Sequence, residues 1–324
     1  MFTKVLIPLD RSPVAEQALG QAVAIARASK AEMDLVLVHE PFPFDGIVDA
    51  PWNFELWNEG RQYLESMEAE IASGSSVAVT HAMFRGDPAD MICRRIEDVH
   101  ADLVVMTSHG RMDQSRARMG SVADGVLRHS TVPVLMLRPI ENNRQRRAAH
   151  RLFKHVLVPV DGSALSTAVF AAATSLANCS GARLSLLCIV EPIPQISTDA
   201  GIRYMPAVVD EPAMKHVSEQ AQKHLEEMAR RLRDESGAEI DTHVVVDAHV
   251  TQAILDFART HDVDVIAMST HGSGISRLLL GSIADKVLWG SPVPLLLYHP
   301  LSVQARVHKV ETSGEANGPA RSHT

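Results

Sequence analysis

The chain has few cysteines, no long apolar run and no excess of positive charge, and each absence closes off a class of protein. Three cysteines, Cys93, Cys179 and Cys188, occur in 324 residues, with no CxxC pair and no ligand spacing. That pattern excludes a disulfide frame and a zinc site, and it leads us to expect a reduced, cytoplasmic protein. No apolar run reaches the ~18 residues needed to span a bilayer. The N-terminus meets Asp10 too soon for the apolar region of a signal peptide. A formal net charge of -8 argues against nucleic acid and anionic membrane as general partners, since both select a basic surface. No G-x-x-x-x-G-K-[ST] stretch is present, so there is no Walker-type lysine. Trp52, Trp57 and Trp289 form no aromatic ladder for single-stranded nucleic acid.

What remains is an ordinary globular composition, 46% hydrophobic and 22% charged, on a chain long enough for two domains with their own cores. Lys4 to Leu9 is a near-continuous apolar run closed by Asp10, as in a strand buried on both faces of a parallel sheet. Ser12 and Pro13 predict a helix start, and Ala15, Ala18, Leu19, Ala22 and Ala26 give that helix one apolar face. Further strands are expected at 35–38, from Val77-Ala78-Val79 to an end at Arg85-Gly86, at 103–106 and at 132–137. Helices are expected at about 56–73, 88–100 and 121–130. Strands alternating with helices of this length call for an open, doubly wound parallel sheet.

The pattern then restarts. Asp161 ends a Val-Leu-Val-Pro-Val strand at an offset of 151 from Asp10, and Glu191-Pro192 repeats Glu40-Pro41 at the same offset. Met106-Thr107-Ser108-His109-Gly110 leads to Gly120-Ser121, and Met268-Ser269-Thr270-His271-Gly272 leads to Gly281-Ser282. The domains expected are 1–140 and 152–300, with an arginine-bearing linker at 141–151 and a polar tail at 301–324. In each domain a strand, a Gly-bearing loop and a helix opening at Gly-Ser make a candidate anion cradle. The plainer alternative is that Gly-Ser only starts a helix. Asp10 and Asp161, at strand ends, suit either a ribose hydroxyl or a chain turn. His109 and His271 tempt a Ser-His-Asp reading, but no Gly-x-Ser-x-Gly elbow accompanies them, so they are expected to pack the loops.

These residues together resemble the universal stress protein (UspA-like) family in its tandem form, over about residues 3–138 and 154–298. The resemblance implies two five-stranded parallel sheets of order 3-2-1-4-5 with helices on both faces. It implies binding of ATP, with or without magnesium, through a Gly-x2-Gly-x9-Gly-(Ser/Thr) signature. That signature falls on Thr107, Gly110, Gly120, Ser121 and the following Val122, and on Ser269, Gly272, Gly281, Ser282 and the following Ile283. Asp10 and Asp161 would lie near the nucleoside, and the main chain of Val38 and Ile189 near the adenine. Thr107 and Ser269 replace the first Gly, and the second loop is one residue shorter between Gly272 and Gly281. The resemblance further implies stress-response action through conformational change or a protein partner, with intrachain pairing of the fifth strands or a homodimer. A stress protein that binds no nucleotide, and a slow ATPase, are the rival readings.

Overall fold

A computed structural model describes residues 1–40, 51–109, 119–139, 151–192, 211–270 and 281–300, the side chains of 51–53 excepted. Gly110, His271, Gly272, the loop arginines 111, 116 and 118, most of the 141–151 linker and the 301–324 tail lie outside these residues. In the first half the elements are β1 (Lys4–Leu9), α1 (Gln17–Ser29), β2 (Glu32–His39), α2 (Pro51–Gly74) and β3 (Val79–Arg85). They continue as α3 (Pro88–Asp98), β4 (Leu103–Thr107), α4 (Ser121–His129) and β5 (Val134–Leu137). The second half runs β6 (His155–Pro159), α5 (Phe170–Ser180), β7 (Arg183–Val190), α6 (Glu211–Ser236) and β8 (Ile240–Val246). It closes with α7 (Val250–Thr260), β9 (Val265–Ser269), α8 (Ser282–Gly290) and β10 (Leu295–Tyr298).

The order 3-2-1-4-5 recurs in each half, but the expectation of two separate parallel sheets matches only in part. The ten strands form one sheet, β3-β2-β1-β4-β5-β10-β9-β6-β7-β8. The seam is the antiparallel pair β5 and β10, with Leu295 opposite Met136, Leu296 opposite Leu135 and Leu297 opposite Val134. Left open, two short apolar edges would expose unpaired amides and carbonyls; pairing them satisfies both.

Strand periodicity sorts the core. Val5, Ile7 and Leu9 face one layer with Ala18, Ala22 and Ile25 of α1 and Leu64 of α2, and α5 and α6 continue that layer in the second half. Leu6, Val104 and Met106 face the other, against Ile92 and Ile96 of α3, Val126 and Leu127 of α4, and their counterparts on α7 and α8. Small residues on α1 let it lie close to the sheet, as the sequence suggested.

Two local boundaries differ from expectation. Residues 13–16 form turns rather than α-helix, because Gln17, Ala18 and Leu19 donate to carbonyls three residues back at 3.0–3.1 Å. Ser12 still accepts from the Ala15 amide at 3.1 Å. The third strand begins at Val79, the last residue of the apolar 77–79 run, and ends at Arg85 as expected, with Phe84 and Arg85 opposite Val38 and His39.

Candidate functional site

Each half gathers its candidate residues at the carboxyl ends of its strands, the edge where open α/β sheets hold ligands. Thr107 ends β4 and is buried, with its hydroxyl donating to the His109 carbonyl at 2.7 Å. The Gly120 amide donates back to the Ser108 carbonyl at 2.9 Å, which closes the first loop onto the strand. In the second half the Gly281 amide donates to the Thr270 carbonyl at 2.7 Å in the same way. Ser269 differs from Thr107: its hydroxyl is buried and has no hydrogen-bond partner among the described residues.

α4 and α8 start at Ser121 and Ser282, behind Gly120 and Gly281, and among the described residues no side chain caps either N-terminus. Ser121, Ser282 and Ile283 are exposed and Val122 is half-buried. The first amides of each helix thus point from the carboxyl edge without a side-chain acceptor, at the positive end of the helix dipole. Gly120 sits at φ -60 and ψ 147, and Gly281 at φ -56 and ψ 143, conformations open to any residue. A Cβ built on Gly120 would stand 3.4 Å from the Ser108 carbonyl oxygen, an ordinary contact. Neither backbone conformation nor packing asks for glycine at 120. What its absent side chain leaves is access to the amides.

Asp10 and Asp161 each turn the chain: Asp10 accepts from the Ser12 amide and Asp161 from the Ser163 amide, both at 2.9 Å. The chain-turning alternative therefore describes at least one oxygen of each carboxylate. Arg11 follows Asp10 at φ 66, where the second half has Gly162 at φ 79, and its guanidinium pairs with Glu59 of α2 at 2.8 Å. Val38 and Ile189 stand near the ends of β2 and β7, beyond the last residues paired with β1 and β6.

The Ser108 hydroxyl lies 2.9 Å from His109 Nδ1, but Ser108 is only 4% exposed. Cys188, near Asp161, has its thiol pushed up first by burial and then by that carboxylate, so it stays protonated rather than nucleophilic. Among the described residues no three His, Cys, Asp or Glu side chains group to hold a metal.

The family model described as "Universal stress protein family" matches residues 1–138 and again 152–299. The chain belongs to the universal stress protein family. A universal stress protein of Mycobacterium tuberculosis is 27% identical over 294 residues, which is 88% of this chain and 95% of the relative. One from Methanocaldococcus jannaschii is 31% identical over 142 residues, 43% of this chain and 83% of the relative, so it corresponds to a single half. Among solved structures, a universal stress protein from Archaeoglobus fulgidus shares the fold at TM-score 0.66 and 20% identity, covering 92% of this chain and 98% of its own. No helix among the described residues is long and apolar enough to cross a membrane.

Sequence reasoning missed two groups. Asp34, inside the apolar run of β2, is fully buried and bound twice by Arg95 at 2.8 Å, with Thr80 donating to it at 2.7 Å. A lone acid in an apolar strand was the available signal. Trp289 faces His109 across the seam; only the fold reveals that pairing.

Proposed function

We propose that this universal stress protein binds ATP or a related adenine nucleotide at one or both loops and acts through a protein partner in a stress response. The observation that carries the reading is the duplicated helix start. In both halves an uncapped N-terminus opens behind a glycine in an ordinary conformation, at the carboxyl edge of a parallel sheet. Phosphate oxygens would accept from the amides of Ser121 and Val122, or of Ser282 and Ile283. Asp10 or Asp161 would meet the ribose, and the main chain at Val38 or Ile189 the adenine. The role proposed is binding; a slow ATPase remains the weaker alternative.

A second reading rests on Thr107. Its buried hydroxyl donates to the His109 carbonyl two residues on, so it is satisfied within the chain without a ligand. That suits a protein built only for interaction.

Equilibrium dialysis with labelled ATP and magnesium, on the wild type and on Gly120→Val with Gly281→Val, decides between them. Saturable binding by the wild type that the double variant loses supports the proposal. No saturable binding at millimolar nucleotide overturns it.

A further inference from the structure

Contacts link His109, which precedes the undescribed part of the first loop, to α8, the helix that follows the second loop. His109, in the first loop, turns its ring edge to Trp289 of α8, with centroids 6.2 Å apart and planes at 64°. Trp289 Nε1 donates to Asp285 Oδ1 at 3.1 Å, reaching back to the first turn of α8, beside Gly281 and Ser282 of the second loop. Arg138, next after β5, donates Nη1 to the Ser291 carbonyl at 2.9 Å and Nη2 to the Trp289 carbonyl at 2.5 Å. Two carbonyls at the end of α8 are thus satisfied by a cation from the first half, which also suits the negative end of the helix dipole.

The same relation holds from the other side. Asp124 stands in the first turn of α4 as Asp285 does in α8. Arg128 donates Nε to Asp124 Oδ2 at 2.7 Å. Its pKa is raised first by that bond and, further down, by the charge of Asp285 across the seam. Arg128 thus pairs with Asp124 and feels the charge of Asp285, and the two carboxylates stand in the first turns of α4 and α8.

We infer that the two loops are coupled, so that an anion held on one weakens the hold of the other, with Arg128 and Trp289 as the positioning residues. The inference rests on the nucleotide reading. A phosphate at the start of α4 places negative charge near Asp124 and draws Arg128 to that side. Asp285 is then less compensated and opposes an anion at the start of α8. His109 and Trp289 add a mechanical path, since any shift of the first loop presses on the indole that orients Asp285. The Arg128 and Asp124 side chains are 31% and 37% exposed, so salt screens this coupling.

The test uses the full chain and magnesium-ATP, and compares products of binding constants. Gly120→Val reports the second loop alone, Gly281→Val the first loop alone, and the unblocked protein gives both stepwise constants. The expected product for the unblocked protein is about fivefold or more below that of the single-loop variants, within the usual range of coupling. Arg128→Gln, placed in all three backgrounds, should bring the products within about twofold, and about 0.5 M salt should shrink the gap in the unmodified set. Trp289→Phe keeps a ring beside His109 but loses the donor to Asp285, and should also reduce the gap. With Trp52→Phe and Trp57→Phe, Trp289 is the sole indole, and its emission should change when the first loop fills. Equal products in the unmodified set overturn the coupling and leave nucleotide binding standing. Absence of any ATP binding by the wild type overturns both.

Discussion

Asp34 has no exposed surface, and its charge is tolerated because Arg95 meets both oxygens and Thr80 supplies a further donor. Removing one partner from such a pair strands a buried charge, which costs more than the pair contributes. Arg95→Ala is expected to lower unfolding stability by about 3 kcal/mol, read as a fall in the urea midpoint with unchanged slope. The second half shows an uncharged alternative, with Ser185 and Phe257 at the matching places on β7 and α7. Asp34→Ser with Arg95→Phe should therefore recover most of the loss. If Arg95→Ala alone leaves the midpoint where it was, the pair is not what holds Asp34 in the sheet. At this scale the sequence was partly legible: Asp10, Asp161, Gly120 and Gly281 stood out by repetition, and each sits at a strand or helix end. Asp34 occurs once and shares no motif, so nothing in its spacing gave it away.

Helix α4 carries Gly125, which propensity alone marks as a weak point worth about 1 kcal/mol against alanine. Packing reverses the argument. A Cβ at 125 would lie 2.6 Å from the Ala89 Cβ on α3, a rigid methyl that cannot swing aside. Gly125→Ala is therefore expected to destabilise, by about 1–3 kcal/mol, and Gly125→Ala with Ala89→Gly to regain part of it. Melting temperatures of the three proteins check this; a rise for the single variant would show that α3 and α4 are not held so close. Elements were legible wherever a hydrophobic period ran unbroken, as in β1, α1 and β4. Starts were less legible: turns take residues 13–16, and β3 begins at Val79 rather than Val77, where its pairing with β2 begins.

Across the whole molecule the halves share one sheet and two continuous apolar layers, yet they answer acid differently. His155, 3% exposed, lies within hydrogen-bond reach of the His261 carbonyl at 2.9 Å and the Ser185 hydroxyl at 2.7 Å. His243 stands tilted over Phe257 and His261. Burial is the first cause lowering both His155 and His243. The folded state therefore keeps these two imidazoles neutral at pH values where the unfolded chain protonates them. Between the folded pKa values and the ordinary value of about 6.5, the unfolded state binds more protons, so stability falls as pH falls. Asp264, raised first by burial, acts in the opposite sense, but only down in the carboxylate range. Amide exchange at pH 5.5 against 7.5 should show protection lost in β6, β7 and β8 ahead of β1, β2 and β3. Uniform loss across both halves would contradict the assignment. The tandem plan was legible because the chain writes its motif twice; the seam geometry was not, since no short-range pattern sets Arg138 against α8 or His109 against Trp289. The central claim is that the opening amides of α4 and α8 hold phosphate. Backbone amide resonances of Ser121, Val122, Ser282 and Ile283, recorded with and without magnesium-ATP, test it most directly. The account predicts that the largest shifts fall on these amides in at least one half. Saturable ATP shifts confined to other surfaces, with all four amides unmoved, would contradict it.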